Sequence, residues 1–344
     1  MPEYKQGKIV EELLRRIREG AYEEKLPLSQ ELAEEFGVNF KTINKALNQL
    51  VGDGILLRKK GCGTFLRTPM NIDGARMVEV LFEGYATVSS HPFWGEVWSG
   101  VVKTLSENGY RPVLSMLETN SEGILNLNGF TFCESAGKLL LGVSEKRLIK
   151  LLQTETSVPF VSAADPVDEP GVLSVSIDDG QAIHDAVDYL VDRGAERIGF
   201  IGITCSYTNS RLASRFQHYL DAVQRYHQID PDLIENVRLL AENGYPAMRN
   251  ILSRTRPDAV LISGDHMIPG AVRALEEAGI SIPGQMLICG CDGVRPSLPF
   301  SYPTIRGDRQ LCGEKAAELL SRKIVNPSDR RAISQTLPSI FHAE

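Results

Sequence analysis

Residues 26–66 read LPLSQELAEEFGVNFKTINKALNQLVGDGILLRKKGCGTFL, and three local patterns inside them point to one object. Ser29 is placed to cap a helix by accepting a backbone N–H, and Leu32, Ala33 and Phe36 give that helix an apolar face before Gly37 ends it. Gly37, Val38 and Asn39 supply a turn of the length that joins two crossed helices. The next helix, predicted over about 40–51, buries Ile43, Ala46, Leu47 and Leu50 and presents Lys41, Asn44, Lys45 and Asn48 on its other side. Two short alternating segments, 55–58 and 64–67, then flank Lys59, Lys60, Gly61, Cys62 and Gly63 as a hairpin. A polar helix face taken alone is an ordinary solvated surface. In this order, helix, turn, helix and hairpin predict a winged helix-turn-helix, an α+β unit. Its second helix suits the major groove, where base edges offer donors and acceptors. Glycines let the hairpin tip approach a sugar-phosphate wall, and its lysines neutralise phosphates.

From Tyr4 to Arg67 the chain resembles the GntR-type domain in its LP-S-x-x-LA-x-x-GV turn, its AL-x-x-L helix core and its G-x-GTF wing. A preceding helix, about 4–20, carries Ile9, Leu13, Leu14 and Ile17 at helical spacing and is expected to pack beneath the reader. The DNA contacts expected are Ser29 and Gln30 on the first helix of the motif, and Asn39, Phe40, Lys41, Thr42, Asn44 and Lys45 on the second. Lys59, Lys60, Gly61 and Gly63 complete them on the wing. Where the resembled family places guanine-reading arginines, this chain has Gln30, Phe40 and Asn44. Gln and Asn pair best with adenine, so an operator richer in A·T is expected.

The whole chain, 344 residues with 42% apolar content, has room for two or three compact units. Its net charge of −7 divides unevenly: residues 1–68 hold 12 Lys+Arg against 10 Asp+Glu, or +2, and the remainder 25 against 34, or −9. Affinity for nucleic acid then has to come from local cations doubled in a homodimer. No apolar run precedes the first helix, and no stretch approaches the roughly 20 apolar residues of a membrane span, which predicts a cytoplasmic protein. Six scattered cysteines show no paired C-x-x-C spacing; Cys289 and Cys291 share a strand face as buried reduced thiols or, less simply, as metal ligands. Neither a metal nor a cofactor is expected.

Residues 69–75 lack periodicity and read as a linker between a reader, 1–68, and a body, 76–344. In the body, β-rich runs alternate with amphipathic helices, which predicts parallel sheets with helices on both faces in two similar α/β lobes. Asp179–Gly202, Pro257–Asp292 and Ser301–Leu320 resemble the LacI/GalR-type sensor domain, and the likeness runs from about Met77 to Pro338. It implies a two-lobed periplasmic-binding-protein-like fold with three crossovers and a small ligand in the cleft. The lobes are expected at about 76–164 with 293–323, and 165–292 with 324–340. Reader and body together look like the arabinose-responsive repressor group.

In open α/β sheets ligands sit beyond the carboxyl ends of strands. After the first strand come Ser90, His91, Phe93 and Trp94; Trp94 is the expected stacking partner of a sugar ring, with Phe93 equally readable as helix core. Asp165 is either an acceptor for sugar hydroxyls or a turn residue before Pro166. Arg211 and Arg215 flank the register of the family's cleft arginine, where Leu212 stands, and either is also readable as a surface charge. Asp292 falls on the family's ligand-binding aspartate and is also readable as a helix cap or turn residue. Asp265 and His266 follow the preceding strand, where the family keeps an asparagine-aspartate pair and Gly264 stands in place of the asparagine; His266 is readable as a polar ligand contact or as a helix-start residue.

An enzyme would need a nucleophile with its base, a metal set or a phosphate loop, and the sequence shows none of these motifs. The expectation is a regulator that binds a pseudo-palindromic operator as a homodimer and answers to a small polar effector, most simply a sugar. The alternative is a cytoplasmic or transport-type binding protein with no regulatory contact to DNA.

Overall fold

The computed structural model describes residues 2–18, 21–22, 25–52, 55–59, 63–66, 76–83, 92–118, 125–143, 145–203 and 211–343. It divides into two compact units, Met1–Ala75 and Arg76–Glu344. The expected linker lies outside the described residues.

In the first unit, α1 (Pro2–Arg18), α2 (Ser29–Glu35) and α3 (Phe40–Gly52) precede a hairpin of β1 (Leu56–Lys59) and β2 (Gly63–Leu66). Leu13, Leu32, Ile43, Ala46, Leu47, Leu50 and Leu56 close one core, as their spacing requires. The cap of α2 differs from expectation. Leu28 is the capping position and Ser29 the first helical residue, because the Glu31 carboxylate reaches back to accept the Leu28 N–H at 2.7 Å. Asn39 caps α3, its Oδ1 accepting the Thr42 N–H at 3.0 Å. The strands sit within one residue of the segments read from alternation, paired antiparallel from Leu56 with Leu66 to Lys59 with Gly63.

The second unit follows the order β3 (Met77–Glu83), α4 (Pro92–Glu107), β4 (Arg111–Leu117), β5 (Gly137–Leu141), α5 (Lys146–Glu155), β6 (Phe160–Ala164) and β7 (Leu173–Asp178). Then come α6 (Gly180–Asp192), β8 (Ile198–Gly202), α7 (Arg211–Gln224), β9 (Ile234–Asn236), α8 (Gly244–Arg254) and β10 (Ala259–Ile262). The chain ends with α9 (Ile268–Glu277), β11 (Leu287–Cys291), β12 (Thr304–Gly307), α10 (Arg309–Val325) and β13 (Gln335–His342). Strand order is β4-β3-β5-β6-β7-β13-β12-β11-β10-β8-β9, and only the β12–β13 pair is antiparallel. The first lobe holds β4 to β7 between α4 and α10 on one face and α5 on the other; the second holds β8 to β12 among α6, α7, α8 and α9. The central strands β5, β8 and β10 are buried along their whole length, as parallel strands covered on both faces are.

The crossings between lobes differ from the expected boundaries. β7 still pairs with β6, so the chain leaves the first lobe at Asp178–Asp179 and not at 164–165. β12 still pairs with β11, so the return comes at Gly307–Asp308 and not at 292–293. β13 pairs with β7 through Pro338 and with β12 from Ser339, so the third crossing lies inside one strand and not at 323–324. These crossings meet closely: a Cβ on Gly307 would stand 2.5 Å from Ile177 and 2.9 Å from the Ser339 hydroxyl.

Candidate reading face and ligand cleft

On the first unit, Phe40, Lys41 and Lys45 are exposed along α3, with Thr42 and Asn44 half-buried between them. Phe40 is 55% exposed, an apolar ring at the helix start with no core to enter. Gln30 is exposed and Ser29 half-buried at the start of α2. Asn39 combines its cap with a 3.3 Å bond from the Thr42 hydroxyl, which fixes the first turn of α3. Asn44 is engaged on both sides: its Nδ2 donates to the Phe40 carbonyl at 3.1 Å, and its Oδ1 accepts from the Arg58 guanidinium. Arg58, exposed on β1, did not stand out in the sequence as a reading residue; the usable signal was its polar place in an alternating strand beside the wing. Gly63 has φ +117°, in the left-handed region, and abuts Lys25, whose ammonium lies 5.5 Å above the Phe65 ring. Only the backbone of Lys59 is described, and Lys60 and Gly61 lie outside the described residues.

In the second unit a charged cluster sits at the three crossings. Asp179, at the first crossing, accepts from Arg215 Nε at 2.6 Å, from Arg211 Nη1 at 3.1 Å and from the Ser339 hydroxyl at 2.5 Å. Arg215 also donates to the Ser263 carbonyl and, at 2.7 Å, to Asp292 Oδ1, so all three of its nitrogens are used. The Asp292 carbonyl accepts from Arg309, which forks onto Glu96 at 2.9 and 2.8 Å. Burial alone would raise the Asp179 carboxyl; Arg215 and Arg211 outweigh it and hold the group down at about 2. Asp292 is lowered by the same balance.

Arg211 differs from Arg215. It is buried to 7% exposure, stacks 4.5 Å above the Phe93 ring, and its Nε has no hydrogen-bond partner among the described residues. Asp165 is half-buried after β6; burial pushes its carboxyl up, against the pull of the Arg211 guanidinium and backbone N–H. Ala164 and Asp292, each ending a strand beside this cluster, hold φ of +77° and +91°, where non-glycine residues are strained.

Other expected ligand residues are placed differently. Trp94 packs edge-on against Phe82 and Phe93, and a Cβ on Gly142 would lie 2.2 Å from its ring, whereas Phe93 is the ring under the arginines. Asp265 is fully buried and clamps the loop before β12, accepting from Val294 N–H at 2.7 Å and from the Thr304 hydroxyl at 3.1 and 3.0 Å. His266 meets the Leu239 carbonyl at 3.0 Å. Both side chains are therefore engaged within the second lobe. Ser90 and His91 lie outside the described residues. Burial pushes the Cys289 and Cys291 thiols up, and no cluster of metal-ligating side chains occurs among the described residues. No helix among them is long and apolar enough to cross a membrane.

Comparison with known proteins bears on both units. Residues 5–66 match the model of bacterial regulatory proteins of the gntR family, and residues 187–340 match a periplasmic binding protein-like domain. The HTH-type transcriptional repressor PurR of Pasteurella multocida is 27% identical over 260 residues, covering 74% of this chain and 77% of that protein. The ribose operon repressor of Escherichia coli K12 is 28% identical over 270 residues, covering 74% and 78%. The solved complex of the transcriptional regulator CelR with cellobiose superposes with a TM-score of 0.68 at 20% identity, over 92% of this chain and 99% of that one. The chain thus joins a unit that matches gntR-family regulatory proteins to a body that matches a periplasmic binding protein-like domain and is similar to the PurR and ribose operon repressors.

Proposed function

We propose that the protein is a DNA-binding transcriptional regulator, acting as a repressor, whose operator affinity is set by a small polar ligand held where the two lobes cross. One observation carries this reading: a buried ionic cluster of Asp179, Arg211, Arg215 and Asp292 stands at the crossings, with one arginine donor unpaired among the described residues beside a buried aromatic ring. A sugar fits that chemistry, because its hydroxyl oxygens take an arginine N–H from a guanidinium backed by the Phe93 ring. The similarity to the ribose operon repressor favours the same class.

In this reading Arg211 and Asp165 meet the ligand and Arg215 positions Asp292. Arg309 ties the Asp292 carbonyl to Glu96 of the first lobe, so displacement of Asp292 is felt across the crossing. On the reader, Phe40, Lys41 and Lys45 enter the major groove while the wing lysines meet phosphates. The protein works in the cytoplasm as a homodimer on a pseudo-palindromic operator. Thermal unfolding across a monosaccharide panel, followed by operator titration with each hit, tests the proposal. A ligand at 100 times its Kd stabilises by about 2.7 kcal/mol and is expected to weaken operator binding. A stabilising sugar that left operator affinity unchanged would overturn the regulatory link.

A further inference from the structure

We infer that Arg58, held in place by Asn44, reads a guanine in the operator, so that the A·T preference expected from Asn44 does not arise at that base pair. The inference rests on the DNA-reading function proposed above. An asparagine reads adenine by accepting from N6 and donating to N7 with the two ends of one amide. Here both ends are turned back onto the protein: Asn44 Nδ2 donates to the Phe40 carbonyl, and Oδ1 accepts from Arg58. These two bonds fix the amide in an orientation set by the protein, and turning it to pair with adenine would compete with both.

The same contact delivers a different reader to the same spot. Arg58 is exposed on β1, and its guanidinium is bonded to Asn44 of α3, the helix proposed to enter the groove. Only one of its nitrogens is used; among the described residues its remaining N–H groups have no partner. A planar fork with donors to spare matches guanine O6 and N7, which offer two acceptors side by side. A guanidinium anchored to a helix also loses less freedom on binding than one on a free side chain, so Asn44 is a positioning residue for Arg58. Contact with a phosphate is the rival role for any exposed arginine, and the two differ in what they do to sequence preference and to salt dependence.

The test is selection of binding sites from randomised duplexes by the full-length protein and its R58A, R58K and N44A variants, each first checked for an unchanged melting curve. The salt dependence of binding to the selected site is then measured. The expected wild-type result is a fixed G·C pair that R58A and R58K both relax by about 5- to 150-fold, with other positions and the salt slope retained. N44A is expected to keep the guanine preference in weakened form. A fixed A·T pair lost in N44A but kept in R58A would overturn the inference. So would a uniform loss in R58A with a salt slope lower by about one, the signature of a phosphate contact. Failure of the wild-type protein to enrich any sequence would remove the DNA-reading function itself.

Discussion

Arg215 and Arg211 lie one turn apart on α7, yet their surroundings separate their roles. Every nitrogen of Arg215 is bonded inside the protein, and it is the main counter-charge for two buried carboxylates. Arg215→Met keeps the volume and strands those carboxylates, so it is expected to lower unfolding stability by about 3–5 kcal/mol, read by urea denaturation at neutral pH. Arg211→Ala leaves Arg215 on both carboxylates. It should cost less stability and act chiefly on ligand affinity, a split that calorimetry with a stabilising sugar resolves. Asp265 gives a pH signature: burial and the Asp292 charge push its carboxyl up to about 7. A carboxyl raised above its unfolded value binds its proton more tightly in the folded state, so its contribution is full below about pH 4 and is lost as pH rises to 7. Wild-type stability measured against Asp265→Asn should therefore fall between pH 4 and 7. A difference that rose with pH across that window would mean the carboxyl is held down instead.

At the scale of elements, the crossing of β7, β12 and β13 is the feature most exposed to a single change. Gly307→Ala would push a methyl into Ile177 and Ser339, and overpacking of this kind costs about 1–3 kcal/mol. Because the clash falls on strands of both lobes, the variant is expected to blunt the ligand's effect on operator affinity as well as to lower the melting temperature. Operator titration with and without the sugar checks this against Gly7→Ala on α1, where an added methyl meets nothing within 4 Å. These strands were also the least legible in the sequence. β13 carries Pro338 in its middle, which argues against a sheet strand until the structure shows it changing partner there. β7 reads LSVSID, and its buried Ser174 and Ser176 disguise a strand that alternation of apolar residues would have announced. α2, α3 and the wing were readable to within a residue because their cores are local. The cleft was readable only in part: Arg211, Arg215 and Asp292 follow strands as ligand residues do, while Ser339 and Glu96 join them from 160 and 213 residues away from their partners Asp179 and Arg309. No local pattern reports such pairings.

Across the whole molecule, the division of charge and the buried cluster serve one linked equilibrium. The reader carries the positive balance and the body the negative one, so phosphate contact is expected from the reader alone, with an affinity that falls steeply with salt. If an effector lowers operator affinity by some factor, operator lowers effector affinity by the same factor, since the two binding steps close a thermodynamic cycle. The sugar's Kd, measured by calorimetry on the free protein and on the protein saturated with its selected operator, should therefore rise by the ratio seen when operator binding is titrated with and without sugar. Arg306 of the second lobe and Arg309 of the first both meet Glu96 of α4, so Glu96→Gln loosens the tie between lobes without entering the Arg215 cluster. The variant is expected to keep operator binding and sugar binding while shrinking both ratios together. A change in one ratio and not the other would mean that the protein changes its association state during the cycle, and sedimentation at each corner of the cycle would identify the step.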